Sequence, residues 1–304
     1  MGAATQLRQP PQKQKRNYTD EQIYLLAHAR GALITGTFTP TQEAAKLTTA
    51  PHFNAPSTPI VARFSSSTGL PEIPDTDPNA NPRGFALRFQ LGPHKHTDII
   101  AHSTRSFPTR TGAEFLDFLR KAGSGDQEGV KAFLSEHPET GRFLADPKPS
   151  PVSFGTELYF GVNAFKFINA DGKVQYLRYR IVPVAGVQTV SDEELKTKEP
   201  NYLFDELHAR LAAGPVEFKL VAQLAEEGDI TDNATVLWPD ERKIVELGTV
   251  KLEKELDAEE SKNEQKVVIF DPIPRVAGIE PSDDPLLEVR ANVYLISGKE
   301  RRAA

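Results

Sequence analysis

Phe165-Lys166-Phe167-Ile168-Asn169-Ala170-Asp171-Gly172-Lys173-Val174-Gln175-Tyr176-Leu177-Arg178-Tyr179 sets an Asp-Gly pair between two runs rich in β-branched and aromatic residues. Asp-Gly in that setting is a hairpin signal, because tight turns between antiparallel strands need positive φ and these residue types tolerate it. The runs extend outward to 154–168 and 174–184, so the sheet is expected to be antiparallel. Further out, 84–91 alternates Phe85, Leu87, Phe89 and Leu91 with Ala86, Arg88 and Gln90, the period-two pattern of a half-buried strand. Residues 59–67, 97–102, 218–225 and 244–252 read as further strands. Prolines with Asp and Asn crowd 70–82, which is turn chemistry. Helical character runs over 21–32, 112–122, 126–137, 201–213 and 285–295. Asp284-Pro285 supplies a capping carboxylate and a first-turn proline for the last of these. No strand–Gly-x-Gly-x-x-Gly–helix unit occurs, which disfavours a Rossmann domain. The pattern predicts an α+β fold, a closed antiparallel β-barrel with helices around it. Residues 1–17, polar and rich in Gln and Pro, read as an arm, and 18–304 as one domain.

Composition narrows the chemistry. Of the 304 residues 38% are hydrophobic and 26% charged, ordinary for a globular protein. No run of about eighteen apolar residues occurs, so no membrane-inserted helix is expected. A net charge of -6 without a long basic stripe argues against nucleic acid as a partner. Lys13, Lys15 and Arg16 read as part of a solvated arm. The start lacks the apolar core of a secretory signal, Gln6 breaks a myristoylation motif, and Arg-Arg-Ala-Ala is no peroxisomal address. Cytoplasm is the expected location. Cysteine is absent and Met1 is the only methionine. Disulfides, thiolate-ligated haem and iron–sulfur clusters are therefore excluded, and a methionine ligand nearly so. An iron bound here must be held by His, Tyr or a carboxylate.

Arg290 and Tyr294 stand four residues apart in the last helical segment, so they share one helix face. A fixed cation beside a phenol, and a metal bound to it, both favour its ionised form. That makes the pair a candidate iron ligand with its counter-charge. Alone, the pair is better read as an ordinary salt-bridge or core contact. His94-Lys95-His96 reads as a solvated turn rather than half a metal site, since no carboxylate pattern completes it. His52, His137 and His208 carry no context. Lys251–Lys266 is a charge run, expected as an exposed loop or helix.

Taken in order, several short segments resemble the haem catalase superfamily over nearly the whole chain. These are His28-Ala29-Arg30-Gly31, Val61-Ala62-Arg63-Phe64-Ser65, Asn81-Pro82-Arg83-Gly84-Phe85-Ala86, Asp98-Ile99-Ile100 and the hairpin already quoted. Asp271-Pro272, Ala277-Gly278-Ile279-Glu280 and Ser282-Asp283 then lead into Arg290 and Tyr294. The resemblance implies haem b as cofactor, Tyr294 as its proximal ligand and Arg290 as the group that keeps Tyr294 ionised. It implies His28 as distal acid/base, Ser65 orienting it, Arg63 and Arg301 pairing with haem propionates, and Phe115 stacking near the distal face. Two positions depart from the family. His102 stands where the distal asparagine is expected, and Leu25 where an arginine is usual. The chain also stops near its proximal tyrosine, without the wrapping and C-terminal helical segments of full catalases.

A histidine at 102 is larger than asparagine and titratable, and a second peroxide must fit beside His28 for catalase turnover. The expectation is therefore a haem peroxidase that reduces hydroperoxides, organic ones above all, with an organic electron donor and little catalase activity. A small true catalase, a fatty acid hydroperoxide isomerase of the allene oxide synthase type, and a non-enzymatic haem binder are the alternatives. The family resemblance also implies a homo-oligomer, a dimer or tetramer.

Overall fold

The computed structural model describes residues 30–66 and 73–303. Among the described residues ten strands are present: β1 (Gly31–Pro40), β2 (Thr58–Ser65), β3 (Gly84–Gly92), β4 (Lys95–His102), β5 (Tyr159–Phe160), β6 (Phe165–Ile168), β7 (Val174–Pro183), β8 (Val216–Leu224), β9 (Ile244–Glu255) and β10 (Ile279–Pro281). Around them lie α1 (Gln42–Leu47), α2 (Pro51–Asn54), α3 (Gly112–Ser124), α4 (Gln127–Glu136), α5 (Pro138–Ala145), α6 (Asp192–Leu195), α7 (Tyr202–Ala213), α8 (Ala258–Val267) and α9 (Pro285–Ala303). Eight strands close a ring in the order β1-β2-β3-β4-β5-β7-β8-β9, with β9 returning to β1 and every pairing antiparallel. Closure removes free strand edges from the ring. β6 and β10 extend from β7 as a tab beside it. Among the described residues no helix is long and apolar enough to cross a membrane.

Strand alternation sends one set of side chains into the ring. Phe64, Phe85 and Phe218 meet there with Tyr159, at centroid distances of 4.6 Å for Phe64–Phe85 and 5.2 Å from Phe85 to each of Tyr159 and Phe218. Such pairs contribute about 0.5–1.5 kcal/mol beyond their area. The buried Tyr159 hydroxyl donates to the Phe154 carbonyl at 3.0 Å, so no polar group is stranded there. A second aromatic group joins Phe38, Phe53 and Phe89 to His52, whose ring stacks on Phe89 at 4.3 Å. Burial pushes the His52 imidazole down to about 3, so it is neutral in the fold.

Local chemistry accounts for most element ends. The quoted hairpin forms β6–β7 with Ile168 opposite Val174. Asn169 Oδ1 accepts from the backbone N–H of Asp171 and Lys173, and Gly172 takes φ +76°. α3 opens on a reciprocal cap between Thr111 and Glu114 and closes at Gly125, with φ +76°. Three expectations need correction. The charge run over 251–266 is not all exposed loop or helix, since 251–255 belong to β9 and Leu252 is buried. The helical reading of 21–32 fails at its end, where Gly31 and Ala32 belong to β1, and 21–29 lie outside the described residues. β1 escaped notice because Gly36 interrupts its apolar pattern. That glycine sits where the β1–β9 register shifts, and a Cβ there would collide with the Lys251 carbonyl. The run 154–168 is also not one strand. A short 3-10 turn (Phe154–Thr156), β5 and β6 replace it, because Ser153 caps the turn and Asn163 leaves the sheet for another partner.

Candidate active site

The outer face of the ring carries three aligned rows of residues. Ser65 stands opposite Gly84 and Gly84 opposite His102; one step along, Arg63 faces Ala86 and Ala86 faces Ile100. In the third row Arg88 faces Asp98. The central strand thus contributes Gly84 and Ala86, the smallest side chains, to a floor flanked by Ser65 and Arg63 on one side and by His102 and Ile100 on the other. Together with Leu33 these residues line a cleft of about 700 Å³, part of it open to solvent. Phe85 and Ala101 add to the floor, and the facing wall comes from Gln265 on α8, from Val268, Ile269 and Phe270, and from Tyr294 on α9.

α9 is fixed before it reaches the cleft. β10 pairs with β6 just upstream, and Asp284 Oδ1 caps the helix by accepting from Leu286 N–H at 3.0 Å. The other Asp284 oxygen accepts from Asn163 Nδ2 at 2.9 Å. Asn163 Oδ1 in turn accepts from Arg290 Nη1 at 2.6 Å, and Arg290 Nε and Nη2 donate to the Tyr294 oxygen at 3.4 and 3.3 Å. Asp284, Asn163 and Arg290 are all buried. Burial pushes the Asp284 carboxyl up, and the Leu286 N–H, Asn163, Arg178 and Arg290 pull it back. The chain Asp284–Asn163–Arg290–Tyr294 therefore holds the arginine in one orientation, with its positive charge at the phenol oxygen.

Arg63 is held from two sides. Its Nε donates to Gln265 Oε1 at 3.1 Å, and its guanidinium lies so close to Gly31 that a Cβ there would come within 2.5 Å of Arg63 Cζ.

The structure brings Arg63, Ser65, His102 and Tyr294 to one cleft, and His102 faces into it. Arg290 sits behind Tyr294. Phe115 is on α3 with its ring 4.9 Å from Phe107, and it is not among the lining residues. Arg301 lies in the last turn of α9, with its side chain outside what is described. His28 and Leu25 lie outside the described residues. His94, with φ 58°, forms the β3–β4 turn. No group of three or more metal-ligating side chains occurs among the described residues. Sequence reading missed Asn163 and Gln265. A lone amide within the apolar run Phe160-Gly161-Val162-Asn163-Ala164-Phe165 was the available signal for the first. Gln265 lies in a charge run that marks nothing.

The catalase family profile matches residues 6–303. The chain belongs to the catalase family. It is 36% identical over 279 residues to the catalase-related peroxidase of Mycolicibacterium paratuberculosis, a match covering 90% of this chain and 88% of that protein. It is 34% identical to the catalase-related peroxidase of Synechococcus elongatus, covering 90% and 82%. Against catalase isozyme A of Oryza sativa subsp. indica identity is 31%, and the match spans only 58% of that longer protein. A solved fungal catalase superposes with a TM-score of 0.78 at 21% identity, over 90% of this chain and 59% of the other. A bacterial catalase gives 0.78 at 24%, over 91% and 57%. This member of the catalase family is therefore of the small, catalase-related kind and is an oxidoreductase acting on peroxide.

Proposed function

We propose that this protein is a haem-dependent peroxidase that reduces organic hydroperoxides with an organic electron donor and releases little oxygen from hydrogen peroxide. The observation that carries this reading is His102, standing in one row with Ser65 across Gly84 and facing the cleft. The residues present suit haem b. The floor of Gly84 and Ala86 leaves room for a planar group, Tyr294 offers a phenol oxygen with the Arg290 cation behind it, and Arg63 offers a cation at the edge. Bound there, haem would supply the iron at which the peroxide O–O bond breaks and the oxidising equivalents the donor discharges.

The chain's own residues do the rest. The Tyr294 oxygen would hold the metal and Arg290 would stabilise its charge, through orientation set by Asn163 and Asp284. Arg63, together with Arg301 as the family resemblance implies, would pair with the carboxylates of the group. His28 takes a proton from one peroxide oxygen and returns it to the leaving one, a transfer that contributes roughly 10²–10⁴ in rate. Ser65, by the family resemblance, would be the residue that orients His28 for it. His102 occupies space and supplies a titratable ring where a second peroxide would have to sit, so the cycle is completed by an organic donor. The cleft is part open, which suits substrates bulkier than hydrogen peroxide. We place the protein in the cytoplasm as a dimer or tetramer, which light scattering of the purified protein measures.

The test is a paired assay on haem-loaded wild type and His102→Asn. Oxygen release is followed from hydrogen peroxide, and dye oxidation from an organic hydroperoxide. Dye oxidation with little oxygen in wild type, and oxygen release restored by asparagine, is the expected result. Brisk oxygen release by wild type overturns it in favour of a small true catalase. Hydroperoxide loss without proportional donor consumption points instead to an isomerase.

A further inference from the structure

The third row of the floor holds a buried ion pair that no step above uses. Arg88 Nε donates to Asp98 Oδ1 at 2.9 Å and Arg88 Nη2 to Asp98 Oδ2 at 2.7 Å, with side-chain exposures of 12% and 0%. Such a pair is a weak source of stability, since apolar residues of similar volume commonly do as well. What distinguishes this one is where its remaining hydrogen bonds go. Arg88 Nη2 also donates to the Ile269 carbonyl, and Asp98 Oδ2 also accepts from the Asp271 N–H at 2.7 Å. Between those two backbone groups stands Phe270, with the Arg88 guanidinium 5.2 Å from its ring centroid. The pair thus grips one short segment at three successive residues, and Ile269 and Phe270 of that segment line the cleft. The segment belongs to an irregular stretch between α8 and β10 and has no ladder of its own.

We infer that Arg88 and Asp98 are positioning residues, which fix residues 269–271, and with them the Ile269 and Phe270 wall, at a set height over the floor and thereby control how firmly the cleft retains its planar cofactor. This rests on the haem reading of the cleft. A guanidinium suits the task because its rigid planar fork grips the carboxylate through two nitrogens while a further N–H serves the carbonyl, a fixed geometry that a flexible ammonium lacks.

The test replaces the pair with apolar residues, Arg88→Met with Asp98→Leu, so that no charge is left buried. The control is the fork of the same type on the β8–β9 connection, Arg242 Nε to Asp229 Oδ2 at 2.8 Å and Nη2 to Oδ1 at 3.0 Å, replaced as Arg242→Met with Asp229→Leu. Two readouts are taken. Amide exchange of Asp271 in haem-free protein is expected to accelerate at least tenfold in the Arg88/Asp98 variant, while β3 and β4 amides keep their protection. Haem transfer from the loaded protein to an apo-globin acceptor is expected to quicken roughly tenfold, matching about one lost hydrogen bond to each backbone group. The control should change neither. Wild-type values for either readout, or haem loss that only follows overall unfolding in every variant, overturn the inference. If the double variant fails to fold, Asp98→Asn, which keeps the shape and loses the charge, is judged by the same two readouts. A wild type that takes up no haem refutes the reading of the cleft, and Asp271 exchange then decides the positioning claim by itself.

Discussion

Replacing Arg290 with methionine should damage both stability and the site, by amounts that can be worked out in advance. The side chain is 7% exposed and donates to Asn163 Oδ1 and to the Tyr294 oxygen. Methionine fills most of the volume but donates nothing. Asn163 Oδ1, itself buried, then lacks its partner, which costs about 1–3 kcal/mol. Asp284 loses one of two nearby cations and keeps Arg178. Breaking a buried charge network from one side costs about 3–5 kcal/mol in total. In a domain of this size each kcal/mol is worth about 2 °C, so the melting midpoint should fall by about 6–10 °C. The Tyr294 oxygen also loses the charge that suits it to a metal, so haem-binding titration should show at least tenfold weaker retention. Arg290→Lys should recover part of the stability and little of the retention, because a point charge cannot serve Asn163 and Tyr294 together. An Arg290→Met protein that melts within a degree of wild type and binds haem equally well would refute the reasoning.

Other perturbations test other parts. Gly31→Ala puts a Cβ 2.5 Å from Arg63 Cζ and 2.6 Å from the Phe64 carbonyl oxygen, so it should cost about 1–3 kcal/mol in denaturant unfolding and weaken haem binding by displacing Arg63. His52, pushed down to about 3 from 6.5, contributes stability that is complete above 6.5 and is lost as pH falls toward 3. His52→Leu should accordingly flatten the acid limb of a urea stability profile, an effect of about 2–3 kcal/mol near pH 4.5. Glu157 runs the other way. Burial pushes it up to about 7 from 4.5, so the fold loses stability as pH rises through that window. Glu157→Gln should add about 2 kcal/mol at pH 8, a value discounted for the solvent its side chain still meets, and leave pH 4 stability unchanged.

Local signals made much of the fold legible. The Asp-Gly hairpin, the alternation over β3 and the Asp284-Pro285 start of α9 all appear in the structure close to where the sequence places them. Each depends on residues a few positions apart. β1 was not legible, because its glycine is explained by a carbonyl on β9 rather than by anything in its own neighbourhood. Asn163 was hidden for the same reason: its amide matters only once Asp284 and Arg290 arrive from the far end of the chain. Arg63, Ser65, His102 and Tyr294 could be named from motif order. Their gathering into one cleft depends on a strand register that no local pattern states.

The grip of Asp98 on Asp271 links residues 173 positions apart, and the floor and opposite wall of the cleft are separated by a similar length of chain. During synthesis at about 5–20 residues per second, the wall follows the floor by roughly 10–35 s. Through that interval the outer face of β2–β4 lacks the wall that Gln265, Val268, Ile269 and Phe270 supply, and Tyr294 has not yet been made. On the haem reading, cofactor uptake therefore waits until Tyr294 has been made. A cell short of haem would accumulate chains whose barrel is complete while the cleft between Tyr294 and β3 still awaits its cofactor.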